Sequence, residues 1–305
     1  MFIGHKKQIN FLKDLIRVGK ISQSYIFSGP ENVGKLYLAK IFSEALIKND
    51  LTILDNSEID KENKNQNVEI LVPEVIVKKG ITKTREIDVE KVRDSLKNLA
   101  LFPDKGKYRI LIINDANRLT TASQNALLKN LEEPNSSSII ILVTNQDGKI
   151  LKTIKSRCQK INFNLVALEE IKNGFREKLS ADLLEKTTIF SMGKPGEFQK
   201  MIDNKDWMEK KENSISDLNS LKEMPVFKKF ELAQEYSKNI METRRNLEFW
   251  VWMLRIYIFR NLNDAKNIEK RYQMINKINE VLSKIGNPSF NVRLILENLF
   301  LNLYD

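Results

Sequence analysis

The segment Gly29–Leu36, which reads GPENVGKL, constrains the fold more than any other part of the sequence. It matches the phosphate-binding pattern of two glycines, a lysine and a hydroxyl residue at every defined position except the last. The apolar run Tyr25–Phe27 precedes it, and apolar residues at helical spacing follow from Leu38 to Leu46. A strand, a glycine loop and a helix in this order predict the phosphate loop of an α/β domain.

Each residue of this loop has a defined task in nucleotide binding. The glycines, Gly29 and Gly34, let backbone N–H groups turn toward phosphate oxygens, and Lys35 reaches the terminal phosphates. A hydroxyl at the next position binds Mg²⁺, which Leu36 cannot do. The sequence therefore predicts a nucleotide-binding architecture that has lost a metal ligand, as in a subunit kept for assembly rather than hydrolysis.

Composition narrows the class of protein. A chain of 305 residues, 42% hydrophobic and 30% charged, fits two or three soluble globular domains. No apolar run approaches the roughly 20 residues of a membrane helix, and the N-terminus lacks a signal-peptide pattern. The single cysteine, Cys158, excludes an intrachain disulfide and a multi-cysteine zinc site. We expect a cytoplasmic protein without a membrane partner. The net charge of +10 would favour a nucleic-acid partner. A solvated surface explains lysines that are scattered along the sequence equally well.

Apolar patterns beyond the loop predict the fold class and the domains. The continuous apolar runs Tyr108–Ile113 and Ile139–Val143 are typical of central strands in a parallel sheet covered on both faces. A further strand is expected at Ile70–Val77, interrupted by Pro73. Strand patterns end near residue 165, and helical patterns follow. We predict an α/β domain at 1–165, a small helical lid at 166–205 and an all-α domain at 206–305, with 48–67 as a loop or insertion.

The end of the run Arg109–Ile113 contains a second departure from hydrolytic chemistry. In a P-loop ATPase, an aspartate here holds Mg²⁺ and the following acid activates water. This chain has Asn114 at the metal position and Asp115 at the acid position. An amide is a poorer Mg²⁺ ligand than a carboxylate. Without the phosphate loop upstream, the better interpretation would be an ordinary loop after a strand.

Two further motifs carry a specific family resemblance. Asn125–Pro134 reads NALLKNLEEP, and Ser156, Arg157 and Cys158 form an SRC tripeptide. At this spacing the chain resembles a clamp-loader AAA+ subunit. Within that family it is most similar to delta-prime subunits of bacterial DNA polymerase III, because of three segments: Ile87–Arg93, the GKPG turn Gly193–Gly196, and the final helix region Asn287–Leu303.

The resemblance implies a fold and a role in DNA replication. The fold would be an α/β P-loop (AAA+) domain, a helical lid and an all-α collar that oligomerises. The chain would join motor (gamma/tau) and delta subunits in a hetero-pentamer that places the sliding clamp on primed DNA. It would be a DNA polymerase III subunit with no catalysis of its own.

The resemblance also implies roles for individual residues. Arg157, within the SRC motif, would enter the ATP site of the neighbouring motor subunit as an arginine finger. Thr144 or Asn145 would stand at the phosphate-sensor position, and Gly196 where motor subunits carry a sensor arginine. No cofactor would be required, although the retained loop residues leave weak ATP or ADP binding open. A zinc module found in many relatives is not expected, since 48–67 contains no cysteine. We expect His5 to be a surface residue without a catalytic role.

Two rival functions remain at this point. The chain could be an active clamp-loader motor (gamma/tau-like) or another AAA+ remodeller, which would be an enzyme. Leu36, Asn114 and Gly196 all disfavour that interpretation. A P-loop kinase would have to account for the SRC motif and the all-helical C-terminal region, so it is the more remote alternative.

Overall fold

The computed structural model describes residues 2–56, 65–78, 81–104, 106–262, 264–287 and 289–304. The chain divides into two compact units, Met1–Glu197 and Phe198–Asp305. The finer division into three domains ending at 165, 205 and 305 stays a prediction.

A five-stranded parallel sheet organises the first unit. Its strand order is β2-β5-β6-β1-β7, and the remaining two strands pair as a separate antiparallel hairpin. The strands are β1 (Ser24–Ser28), β2 (Val68–Leu71), β3 (Val75–Lys78), β4 (Ile81–Thr84), β5 (Arg109–Ile113), β6 (Ser138–Thr144) and β7 (Gln159–Asn162). The predicted parallel sheet is confirmed, and the two continuous apolar runs are interior strands. The strand expected around Pro73 is instead two strands, β2 and β3, in different sheets.

Nine helices belong to the described part of the first unit or begin in it. They are α1 (Lys6–Val18), α2 (Lys35–Lys48), α3 (Thr52–Asn56), α4 (Val89–Leu99), α5 (Thr121–Glu132), α6 (Lys152–Lys155), α7 (Leu168–Gly174), α8 (Ala181–Phe190) and α9 (Pro195–Asp203). Short 3-10 turns occupy Ala116–Arg118 and Asp147–Lys149. The helix α3 lies within 48–67, so the stretch predicted as a loop or insertion contains a helix, and residues 57–64 lie outside the described residues.

The sheet is covered on both faces, as its continuous apolar strands require. Alternate strand side chains point to opposite faces. On one face, Tyr25 and Phe27 pack with α2, whose apolar stripe Leu38–Leu46 is buried as its helical spacing predicts. On the other face, Ile26 packs with buried residues of α4 and α5. This burial holds the carboxyl ends of β1, β5 and β6 side by side, which is where α/β sheets place their ligand sites.

The described part of the second unit is helical. Its helices after α9 are α10 (Lys205–Ser220), α11 (Val226–Ser237), α12 (Ile240–Arg260), α13 (Ala265–Lys284) and α14 (Val292–Asn302). The Trp250 ring lies at the centre of the core, with centroids 5.8 Å from the rings of both Tyr236 and Phe300. Its indole N–H donates to the Ser214 carbonyl at 2.7 Å, so the polar atom is satisfied inside the core. Across the described ranges, no helix combines the length and the apolar character needed to cross a membrane.

Candidate functional site

The phosphate loop stands at the carboxyl edge of the sheet. β1 ends at Ser28, α2 begins at Lys35, and the loop joins them. The parallel register puts Ser28 beside Thr144 at the end of β6, and the Gly29 N–H donates to the Thr144 carbonyl at 3.2 Å. The loop that contains Gly29, Gly34 and Lys35 therefore starts beside Thr144 at the end of β6.

Gly34 shows why the loop needs a glycine at its second conserved position. Its φ of +100° lies in the left-handed region, and a Cβ here would lie 2.6 Å from the Phe2 ring. Side chains other than hydrogen are strained in that conformation. The chain thus turns directly into α2, whose first N–H groups form the kind of helix end that attracts anions.

The Lys35 ammonium is held by the loop itself. It donates to the Gly29 carbonyl at 2.7 Å and to the Pro30 carbonyl at 2.5 Å, and the residue is buried. Burial lowers the Lys35 pKa to about 8, although the carboxylates of Glu31 and Asp115 act in the opposite direction. The lysine that binds terminal phosphates in a working loop here satisfies carbonyl oxygens of its own chain.

The GKPG turn closes against the same loop. The Gly196 N–H donates to the Asn32 carbonyl at 2.8 Å, and the Asn32 side-chain amide donates to Glu197 Oε1 at 2.6 Å. A Cβ on Gly196 would lie 2.9 Å from the Asn32 carbonyl oxygen and 3.1 Å from Asn32 Cβ. A larger side chain at position 196, a sensor arginine included, is incompatible with this close approach.

The strand ends supply polar groups around the loop. Burial raises the Asp115 pKa, and the Glu31 carboxylate raises it further. The Asn114 amide donates to Asp115 Oδ2 at 3.3 Å, so these neighbours interact with one another. The Thr144 hydroxyl donates to Asn117 Oδ1 at 3.3 Å.

Asn145, the alternative sensor, is tied to the loop through its side chain. Its amide donates to Glu31 Oε1. Glu31, Asn32 and Asn117 were not singled out by the sequence. Each takes part through a contact between segments far apart in the chain, so local spacing carried no signal for it.

The prediction that His5 is a surface residue is wrong. Its Nε2 atom lies 3.1 Å from the Val33 carbonyl oxygen, and its ring meets the edge of the Phe163 ring with centroids 4.9 Å apart. Burial is the main cause that lowers the His5 pKa. The residue is half-buried because the segment before α1 contacts the phosphate loop. The His5 ring packs against Val33 and Phe163 there.

The SRC motif lies at the end of α6 and presents its arginine at the surface. The Arg157 guanidinium donates to the Thr153 carbonyl at 2.9 Å and forms an ion pair with Glu132 Oε1 at 2.8 Å. About a third of its side chain, 36%, is exposed. The Ser156 hydroxyl donates to the Thr153 carbonyl at 3.0 Å, which closes the helix end.

Cys158 is unsuited to nucleophilic chemistry. Burial raises its thiol pKa to about 11, with an opposing contribution from a hydrogen bond with Ser24. Only the thiolate is reactive, so a buried neutral thiol is inert. The Ser24 hydroxyl also donates to the Arg157 carbonyl at 2.7 Å. Cys158 thus anchors the motif to the sheet while Arg157 projects from it.

Comparison with known families identifies the class. The family described as DNA polymerase III, delta subunit, matches residues 4–167, more than half of the chain. The chain therefore belongs to that family of clamp-loader AAA+ proteins.

Individual relatives are more distant. The tau subunit of DNA polymerase III from Bacillus subtilis is 31% identical over 189 residues, which cover 60% of this chain and 32% of that protein. The gamma subunit from Buchnera aphidicola is 32% identical over 178 residues, covering 56% of this chain and 46% of that protein. The chain thus spans 32% to 46% of the length of these relatives.

Solved structures resemble the chain more weakly. A gamma subunit-related protein of DNA polymerase III from Thermotoga maritima is 19% identical, covers 96% of this chain and 98% of its own, and gives a TM-score of 0.47. The RuvB Holliday junction branch migration motor from the same organism is 17% identical and covers 66% of this chain and 63% of its own, with a TM-score of 0.44.

The lowered pKa of Lys35 predicts a pH dependence of stability. An unfolded lysine has a pKa near 10.4, so between about pH 8 and 10.4 the unfolded chain binds more protons than the native chain. The free energy of unfolding therefore rises with pH across this window. From pH 7.5 to 9.5 we expect wild type to gain about 2 kcal/mol relative to Lys35→Met, at 1.36 kcal/mol per pKa unit.

Urea denaturation at several pH values measures this difference. Other titrating groups are common to both proteins and cancel in the comparison. Lys20→Met, at an exposed position, is the matched control and should follow wild type. Curves for wild type and Lys35→Met that run parallel from pH 7.5 to 9.5 would contradict the burial of a charged Lys35.

Proposed function

We propose that this chain is a delta-prime-like subunit of the bacterial DNA polymerase III clamp loader. It is a largely non-hydrolysing AAA+ subunit that donates an arginine finger to a neighbouring ATPase subunit and helps to load the sliding clamp. One observation carries the proposal. The phosphate loop is closed on residues of its own chain through Lys35 and Asn32, while Arg157 lies at the surface.

The residues around the loop do not fit Mg²⁺-dependent hydrolysis of ATP. Leu36 replaces the hydroxyl ligand and Asn114 replaces the carboxylate ligand. Gly196 occupies the sensor position and approaches Asn32 so closely that a Cβ would clash. On this proposal the subunit requires neither nucleotide nor zinc. The backbone amides of the loop leave weak binding of ATP or ADP open.

Arg157 has the chemistry of a finger. A guanidinium stays charged at all physiological pH values and presents forked donors that match phosphate oxygens. In the free chain the Glu132 carboxylate contacts one terminal nitrogen of Arg157 and the Thr153 carbonyl accepts from the other, so a neighbour's γ-phosphate would take the place of these partners. Half-exposed ion pairs are worth only about 0–1 kcal/mol, which leaves Arg157 easily released. An arginine supplied in trans accelerates phosphoryl transfer by roughly 10³–10⁵.

The proposed partners follow from the same family. They are motor (gamma/tau) and delta subunits in a hetero-pentamer, the sliding clamp and primed DNA, in the cytoplasm. Similarity to subunits named tau and gamma supports membership of such a complex. The second, helical unit is the proposed collar through which the subunits oligomerise.

An active gamma/tau-like motor is the alternative function. Two observations favour it: the named relatives are tau and gamma subunits, and the loop retains Gly29, Gly34 and Lys35. The metal-ligand replacements at Leu36 and Asn114 weigh against it.

ATP hydrolysis separates the two functions. We expect no appreciable phosphate release by the purified chain, with or without DNA, because the Mg²⁺ ligands are replaced. Steady-state phosphate release is the measurement. Mg²⁺-dependent turnover that disappears in Lys35→Ala would establish the motor function instead.

Arg157 is tested in the reconstituted complex. Arg157→Ala should leave the pentamer intact but reduce clamp loading and DNA-stimulated hydrolysis, because the neighbour's ATP site loses its trans cation. The loss of total hydrolysis should be partial, since other interfaces carry their own arginines. Arg157→Lys should rescue poorly, because an ammonium lacks the planar fork.

Clamp loading and pentamer mass are measured side by side. Lys152→Ala removes an exposed cation at the start of α6, the short helix that precedes Arg157; it is the control and should load clamps as wild type does. Unchanged loading by Arg157→Ala would remove the finger role. A dissociated pentamer would make Arg157 a structural interface residue.

A further inference from the structure

We propose that the second unit carries a binding site for the phosphate groups of a nucleic-acid strand. The site is a cleft of about 200 Å³ between α13, the turn that follows α10 and the end of the chain after α14. It goes beyond the proposed finger function, because Arg157 takes no part in it.

The cleft concentrates positive charge. Lys222, Lys270, Arg271 and Lys277 all line it, and no acidic side chain lies among its described lining residues. Like charges repel when they are gathered without counter-ions, and such a group attracts anions. The nearby Asp264 carboxylate interacts with Arg271, but hydrogen bonds from Asn267 are the main cause of its lowered pKa. Its oxygens are therefore already engaged.

Arg271 is held in place by an aromatic ring. Its guanidinium carbon lies 3.4 Å from the centroid of the Tyr257 ring, an arrangement that orients the planar fork. The Nε atom is buried and has no hydrogen-bond acceptor within the described chain. The stacked guanidinium therefore contributes a fixed positive charge to the lining of the cleft.

Buried residues and hydrogen bonds hold the wall of the cleft together. Met274 and Leu303 are buried there, and the Tyr304 hydroxyl donates to the Leu218 carbonyl at 2.8 Å. Lys277 donates to the Asn302 carbonyl at 2.5 Å. These contacts join α13, the end of α10 and the end of α14, so the cations of α13 are displayed on a packed helix rather than on a loop.

The spread of the charges favours a strand over a single anion. Lys270 and Lys277 are seven residues apart on α13, which is about 10 Å along the helix. One carboxylate reaches one or two of these cations, whereas successive phosphates reach all of them. The chain belongs to the family described as DNA polymerase III, delta subunit, and nucleic acid is the polyanion that such a protein is expected to meet.

The test measures binding of fluorescein-labelled oligo(dT) to the full chain by anisotropy, from about 50 to 200 mM NaCl. Each single-strand phosphate contact contributes about 0.7 to the slope of log affinity against log salt. Lys222→Gln with Lys270→Gln should weaken binding roughly tenfold and reduce that slope by about 1.4. Arg271→Lys should weaken binding but leave the slope unchanged, because the charge remains while the fork is lost.

Two controls separate the cleft from general charge and from the finger. Lys228→Gln with Lys238→Gln removes two exposed lysines of α11 and its end, and should change neither affinity nor slope. Arg157→Ala should also bind oligo(dT) as wild type does. The test of the cleft is therefore independent of whether Arg157 acts as an arginine finger. Equal losses in the cleft pair and the α11 pair, or an unchanged slope in the cleft pair, would overturn the proposal.

Hydrogen exchange locates the bound anion. Amides of 267–277 should gain protection with oligo(dT) and not with inorganic phosphate at the same phosphate concentration. Protection by inorganic phosphate at the same concentration would show that the cleft binds small anions, and it would overturn the proposal of a nucleic-acid strand. An absence of protection with oligo(dT) would also overturn the proposal. The cations would then be better explained as a site for the carboxylates of a protein partner.

Discussion

The hydrogen bond from the Gly196 N–H to the Asn32 carbonyl, 2.8 Å long, joins the start of α9 to the phosphate loop. Around it, Asn32 donates to Glu197 and Lys35 donates to two loop carbonyls. Loop groups that would otherwise face phosphate are thereby satisfied by the chain itself. Because buried polar groups need partners, this internal satisfaction stabilises a closed loop. A phosphate group that approached the Lys35 ammonium would have to compete with the carbonyl oxygens of Gly29 and Pro30.

The first unit contains both the altered phosphate loop and the proposed arginine finger. Leucine stands at the metal-ligand position of the phosphate loop and asparagine at the metal-ligand position after β5, whereas Arg157 lies at the surface with Glu132 as its partner. On the proposed function, the chain supplies a cation to a neighbour's site and gains nothing from hydrolysis in its own. A loop whose lysine is bonded to its own carbonyl oxygens is compatible with that role.

Much of the architecture could be predicted because its signals are local. The runs Tyr108–Ile113 and Ile139–Val143 are apolar on both sides, and only interior strands bury both faces. The contacts of His5, Asn32 and Glu132 could not be predicted. Each depends on a partner that folding brings near, such as Glu197, which is 165 residues from Asn32. The helix α3 escaped prediction because its polar surroundings are typical of a loop.

Equilibrium binding of a fluorescent ATP analogue to the full chain, with Mg²⁺ present, tests the closed loop most directly. The account predicts no saturable binding tighter than about 1 mM, equivalent to about −4 kcal/mol. Asn32→Ala removes the side-chain contact with Glu197. It does not supply the missing metal ligands, so it should not restore tight binding. Micromolar binding by wild type that is lost in Lys35→Ala would contradict the account, because the loop would then be open to nucleotide.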